Sequence, residues 1–133
     1  MRVLIIDDEE RVGIALERCL NKEHEVELVS SSPAAVARIV SGERFDAILC
    51  DVVMPEMTGQ EVFQAVAAIL PGQARRIIFM SGRVTEVKCS LGVVRCIQKP
   101  FDMSVVRRAI SGFLPIRLSG LHPSLPPGAR FSH

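Results

Sequence analysis

Ala47-Ile48-Leu49-Cys50-Asp51-Val52-Val53-Met54-Pro55 is the stretch whose reading decides the fold. An apolar run of strand length ends on one carboxylate. Met54-Pro55 follows, and a central strand cannot continue through proline, which lacks the ladder N–H. The run does not alternate polar with apolar, so it reads as a strand buried on both faces, the kind found in parallel sheets. An acid at the mouth of such a strand costs desolvation energy unless charged or hydrogen-bonding groups meet it. Asp51 is therefore expected to be a reactive group, and the rest of the chain is expected to supply its partners.

Working outward, the pattern repeats. Arg2–Ile6 is a short apolar strand that stops at Asp7-Asp8-Glu9-Glu10. Those acids open a helix of about Glu9 to Lys22, where negative charge suits the helix dipole. Its expected apolar face is Val12, Ala15, Leu16, Cys19 and Leu20. Glu25–Val29 is a second strand. Ser32-Pro33 reads as N-cap and first helical position of a second helix, which carries Val36, Ile39 and Val40 inward and ends at Gly42. Asp46–Cys50 is the third strand, and Met54–Gly59 a loop. A helix of about Gly59 to Leu70 should face Val62, Phe63, Val66 and Ile69 to the core and stop at Pro71-Gly72.

Arg76–Met80 is a fourth strand ending on Ser81-Gly82. Thr85–Leu91 leaves room for two helical turns. Val93–Gln98 is a fifth strand ending on Lys99-Pro100. Asp102–Leu114 is a last helix with Val105, Val106, Ala109, Ile110 and Phe113 inward. Five strands alternating with five helices make an α/β fold: a five-stranded parallel sheet with helices on both faces and right-handed crossovers. Residues 1–114 read as one domain. Residues 115–133, rich in Pro, Gly and Ser, read as a flexible tail or linker, or a proline-rich docking segment.

Composition narrows the class. The chain has 133 residues, 48% of them hydrophobic, and a formal net charge of +1, which points to a globular domain rather than a disordered chain. Balanced charge argues against direct binding of nucleic acid or a membrane surface. The N-terminal apolar run is too short for a signal peptide and no run approaches membrane-spanning length, so a cytoplasmic protein is expected. Cys19, Cys50, Cys89 and Cys96 form no C-x-x-C pair or metal-ligand spacing and read as free thiols.

Parallel sheets bind ligands at the carboxyl ends of their strands. There this chain places Asp7-Asp8, Asp51, Ser81 and Lys99, each at the end of a different strand. Three converging acids repel one another, and a divalent cation relieves the repulsion. Mg²⁺ takes one or two carboxylates with waters and phosphate oxygens. A carboxylate can attack phosphorus to give an aspartyl phosphate. A lysine opposite would stabilise charge on the phosphoryl oxygens, and the Ser81 hydroxyl could donate to another.

These residues resemble the receiver domain of two-component response regulators, a flavodoxin-like (βα)5 family. The resemblance is carried by Val3-Leu4-Ile5-Ile6-Asp7-Asp8-Glu9, by Asp51-Val52-Val53-Met54-Pro55-Glu56-Met57-Thr58-Gly59, by Ser81-Gly82 and by Lys99-Pro100-Phe101, and it spans about Met1 to Leu114. It implies strand order 2-1-3-4-5. Asp51 would be the phosphoacceptor, taking phosphoryl from a sensor histidine kinase or phosphotransfer protein. Asp7, Asp8, Asp51 and the Val53 backbone carbonyl would hold Mg²⁺. Ser81 would be the hydroxyl of the switch, and Lys99 the phosphate partner ahead of a cis peptide to Pro100.

The chain also departs from the family. Where most receivers have Tyr or Phe three residues before the lysine, Cys96 stands here. The Ser81–Lys99 interval is shorter than usual by about one helical turn. Val53 and Arg83 flank the site at positions that tune lifetime in this family; Val53 offers no acid or amide to orient a water.

Three functions compete. The first is a phosphorylation-dependent signalling switch that alters contacts with a downstream protein partner, as a monomer or weak homodimer. It would catalyse its own phosphorylation and dephosphorylation without being an enzyme of metabolism. The second is a phosphorylation-independent interaction module, favoured by Cys96 and the short segment. The third is a small-molecule phosphatase, opposed by Val53 in place of a second acid and by the lack of a glycine-rich phosphate loop. Only 19 residues follow Leu114, so a regulator acting through protein contacts is expected rather than one with an output domain.

Overall fold

The computed structural model describes residues 1–82 and 95–113. The helix expected at Thr85–Leu91, Arg83, the Val93-Val94 start of the fifth strand, Leu114 and the tail 115–133 lie outside the described residues. The elements are β1 (Arg2–Ile6), α1 (Glu10–Leu20), β2 (Glu25–Val29), α2 (Ser32–Val40), β3 (Ala47–Asp51), α3 (Gly59–Ile69), α4 (Pro71–Ala74), β4 (Ile77–Ser81), β5 (Arg95–Gln98) and α5 (Met103–Ser111). All four strand pairings are parallel, and the order is β2-β1-β3-β4-β5.

The central strands owe their place to sequence that is apolar on both faces. Val3 to Ile6, Ala47 to Cys50 and Ile77 to Met80 are all buried. Period-2 alternation then splits each strand between two cores. Leu4, Ile6, Ile48, Cys50, Ile77 and Phe79 pack with α2 and α3 residues such as Ile39, Val62, Phe63 and Val66. Val3, Ile5, Ala47, Leu49, Ile78 and Met80 pack with Leu16 and Leu20 of α1 and Val106 and Ile110 of α5. Each layer closes one face of the sheet, as a parallel sheet requires. No helix among the described residues is long and apolar enough to cross a membrane.

Several boundaries differ from the sequence reading for local reasons. Ser31, not Ser32, caps α2: its side chain accepts the Ala34 N–H, and Pro33 sits in the first turn. Ser32 is instead buried, its Oγ accepting the Met57 N–H at 3.1 Å. Proline at Pro71 does not simply stop a helix. It opens α4, since a first-turn proline gives up no hydrogen bond that the helix needs. That turn buries Gln73, whose amide brackets the Phe45 backbone: the Phe45 N–H donates to Oε1 at 2.9 Å and Nε2 donates to the Phe45 carbonyl at 3.1 Å. Because α3 ends before this turn, Ile69 is 61% exposed rather than in the core, and Val105 of α5 is 40% exposed. Ala15 likewise lies on the exposed side of α1. β3 runs one residue further than expected and includes Asp51, and β4 includes Ser81 while leaving out Arg76.

Candidate phosphoacceptor site

The sheet builds the site by register. Ile6 lies beside Cys50, and Asp51 beside Met80, so β1 and β3 deliver Asp7 and Asp51 to one edge. β4 ends on Ser81 beside Gln98, which puts Lys99 next in line. The Lys99 N–H then donates to the Ser81 carbonyl at 2.7 Å, carrying the ladder one step past the strands. The Lys99–Pro100 peptide is cis.

Four sequence candidates converge here. Asp7, Asp8 and Asp51 each offer a carboxylate oxygen within 4.8 Å of the others. Lys99 Nζ stands 3.4 Å from Asp51 Oδ1 and 3.6 Å from Asp7 Oδ2. Glu9 Oε1 lies 3.7 Å from the same ammonium. By spacing Glu9 reads only as part of the helix start; its place at the N-cap of α1, two residues after the Asp7 strand end, is the signal that it faces the pocket too. Ser81 is buried at 4% exposure and engaged in interactions of its own. Val53 stands two residues after Asp51 and is 76% exposed, while its backbone N–H acts to lower the Asp51 carboxyl. Cys96 is not part of this pocket. It sits half-buried on β5, beside Phe79, against the α2–α3 core.

The loop after β3 is held on three sides. Gly59 N–H donates to the Val52 carbonyl at 2.8 Å, closing the loop on itself. Thr58 and Glu61 form a reciprocal capping box at the start of α3. Ser32 ties down Met57, a contact invisible in sequence spacing. Gly59 is required by space: a Cβ there would lie 2.5 Å from the Asp51 carbonyl oxygen and 3.0 Å from Val52 Cα.

Burial dominates the electrostatics. Asp7 is fully buried, and desolvation pushes its carboxyl up to about 6, against the opposing pull of the Glu9 N–H and Lys99. Asp51 is also raised, first by desolvation, with Lys99 and the Val53 N–H acting the other way. Desolvation acts to lower the Lys99 ammonium, but Asp51 and Asp7 outweigh it, so it ends above the ordinary lysine value. Three acids are thus kept close with one cation, and the arrangement remains under-neutralised. Asp7 Oδ1 accepts the Glu9 N–H at 2.9 Å, yet among the described residues buried Oδ2 has no hydrogen-bond donor, only Lys99 Nζ at 3.6 Å. An orphaned buried carboxylate oxygen beside two more carboxylates is a donor set that fits a hard divalent cation.

Comparison with known proteins agrees with this geometry. A family model described as "Response regulator receiver domain" matches residues 3–111. The chain is 30% identical over 120 residues to sporulation initiation phosphotransferase F of Bacillus subtilis, covering 87% of this chain and 95% of that one. It is 32% identical to the DNA-binding transcriptional regulator NtrC of Azospirillum brasilense, but spans only 25% of that protein's length against 85% of its own. Among solved structures it is similar to chemotaxis protein CheY4 of Vibrio cholerae, with TM-score 0.72 and 27% identity over 85% of this chain and 98% of that one. It is also similar to the receiver domain of sensor histidine kinase PA1611 from Pseudomonas aeruginosa, solved with magnesium in the active site cleft, with TM-score 0.67 and 25% identity over 84% and 95% of the two chains. A parallel sheet in this order, an acid cluster at its carboxyl edge and a match across nearly the whole described chain agree, and the chain belongs to the response regulator receiver family of two-component systems.

Proposed function

We propose that this receiver is a phosphorylation-dependent switch, with Asp51 as phosphoacceptor. The observation that carries the reading is the orphaned Asp7 Oδ2 in a three-carboxylate cluster that Lys99 alone does not neutralise. A purely structural ion pair between Lys99 and Asp51 would need no further buried acid, because each such charge costs desolvation energy. Asp7, Asp8, Asp51 and the Val53 carbonyl would hold Mg²⁺, which when bound shields the carboxylates from one another and offsets charge on the phosphoryl oxygens.

The chain's own groups then have distinct tasks. An Asp51 oxygen attacks the phosphorus of a histidine-kinase or phosphotransfer phosphohistidine. The O–P bond forms as the P–N bond breaks, and imidazole leaves. Lys99, held 3.4 Å from Asp51, meets charge spreading over the transferred group. Its partner carboxylates Asp7 and Glu9 keep the ammonium charged and aimed. The Ser81 hydroxyl donates to a phosphoryl oxygen after transfer, and the neighbouring backbone moves with it, shifting a pre-existing equilibrium toward a state that binds a downstream protein. Exposed Val53 brings no acid or amide to position an attacking water, which favours a persistent phosphoryl group.

One observation favours constitutive docking without phosphorylation. Cys96 occupies the position beside Phe79, so β5 has no aromatic ring there to change rotamer with the pocket. Acetyl phosphate labelling in Mg²⁺ decides the primary reading. Asp51→Ala is expected to abolish labelling and beryllofluoride binding, and undiminished labelling of the variant would sink the assignment. Amide exchange with and without Mg²⁺–beryllofluoride separates the two modes: protection changes confined to the pocket would favour constitutive docking.

A further inference from the structure

The amino ends of the strands form the edge of the sheet opposite Asp51, and they gather arginine. Arg2 opens β1, Arg95 opens β5, and Arg75 and Arg76 stand just before β4. Arg108 lies in the last turn of α5, which runs back to the same edge.

The two halves of this edge are treated differently. On the β2–β1 side the two guanidiniums of Arg2 and Arg38 are matched, while exposed Arg44 has no ion pair among the described residues. Arg2 Nη2 lies 2.9 Å from Glu27 and 2.7 Å from Glu43, and Arg38 Nη2 lies 2.7 Å from each of the same two acids. On the β4–β5–α5 side, among the described residues, Arg75, Arg76, Arg95 and Arg108 have no ion-pair partner. Two of them are held in place by uncharged groups. Arg76 donates to the Asp46 carbonyl at 3.1 Å and lies 5.5 Å from the centroid of the Phe113 ring, while Arg95 lies 4.1 Å from that same centroid. Room for the Arg95 guanidinium comes from Gly112, where a Cβ would be 2.5 Å from Nη1. Arg76 and Arg95 are thus fixed over one ring with no ion-paired carboxylate among the described residues.

The remaining sequence is poor in acids. Residues 83–94 and 114–133 contain a single acidic side chain, Glu86, against Arg83, Lys88, Arg117 and Arg130. Of the chain's 15 acidic residues, only Glu86 and Asp102 follow Glu61.

We propose that this arginine face docks an acidic segment of a partner protein. A guanidinium is a planar fork of N–H donors, a shape that takes carboxylates two oxygens at a time. A sequence pI near 7.7 and a net charge of +1 lie well below the strongly basic balance, a domain pI above about 9, that marks a nucleic-acid surface. The face lies at the far edge from Asp51, so its failure would leave the phosphoacceptor reading standing, and the reverse holds too.

The test uses the full chain and a fluorescein-labelled hexaglutamate peptide, followed by anisotropy across a salt series. Binding is expected at low ionic strength and should fade as salt screens it. Arg75→Gln with Arg108→Gln, two exposed positions outside the Phe113 stack, should weaken it about tenfold. Arg95→Gln should weaken it further, with the urea midpoint reporting any loss of packing separately. Beryllofluoride binding should be unchanged in the Arg75/Arg108 variant. Absence of binding, binding that ignores the double substitution, or tighter binding of a short DNA duplex than of the peptide would overturn the proposal.

Discussion

Gly59 offers a quantitative test of how the loop after Asp51 is built. It is the first residue of α3, and an exposed helical glycine replaced by alanine gains up to about 1 kcal/mol from propensity. Space decides the opposite sign here. The added Cβ would meet the Asp51 carbonyl oxygen at 2.5 Å, Val52 Cα at 3.0 Å and Phe79 Cδ1 at 3.2 Å. Two of the three are backbone atoms of the central strand or its exit, and neither can rotate away. Overpacking of this kind costs about 1–3 kcal/mol, so Gly59→Ala should lose about 1–2 kcal/mol net of the helix gain. Gly72→Ala in α4 is the control, because nothing lies within 4 Å of its Cβ position, and it should be neutral or stabilising. Urea unfolding of both variants measures the difference. Since the clash displaces the Asp51–Val52 backbone, Gly59→Ala should also weaken Mg²⁺–beryllofluoride binding, whereas Gly72→Ala should not. A Gly59→Ala protein as stable as Gly72→Ala would refute the steric account of the loop.

Further outcomes follow from the same geometry. Adding Mg²⁺ should raise the unfolding free energy by about 2.7 kcal/mol at a hundredfold excess over Kd, seen as a higher urea midpoint, and Asp7→Asn should remove most of that increment; an unchanged midpoint in wild type would speak against a cation site. Thr58→Ala breaks the capping box with Glu61 and should cost about 1 kcal/mol, read by urea unfolding. Hydrogen bonds from Arg38 and Arg2 hold the Glu43 carboxyl down to about 2, below its ordinary 4.5. A carboxyl depressed on folding contributes stability that is present above its unfolded value and lost as pH falls through the folded one. Wild type should therefore lose more stability than Glu43→Gln between pH 4.5 and 2, and parallel pH profiles would contradict the network.

Much of the site was legible because its chemistry sits at strand ends. Asp7, Asp51, Ser81 and Lys99 each terminate an apolar run, and a parallel sheet brings such termini to one edge whatever the helices between them do. Glu9 and Ser32 were less legible because their roles cross elements. Ser32 reads as a helix cap by spacing, yet its hydroxyl is spent on the Met57 N–H of a loop 25 residues away, and Ser31 takes the cap. The exposure of Ile69 escaped the periodicity because it depends on where α3 gives way to α4, and that break is stabilised by the Gln73–Phe45 hydrogen bonds.

By itself, the sequence determined the layered α/β architecture and the set of residues at the carboxyl edge. Both depend on local order: apolar runs of strand length, helical periodicity between them, and a polar residue at each exit. The tertiary structure alone decided how those groups share charge. Burial, rather than spacing, leaves Asp7 Oδ2 without a donor among the described residues and raises Asp7 and Asp51 together. The same holds for the opposite edge, where Arg76 and Arg95, far apart in a chain of balanced charge, come over one Phe113 ring only when β4, β5 and α5 are laid side by side. Coulomb energies depend on distance through space and on local dielectric, and neither is written in the order of the residues.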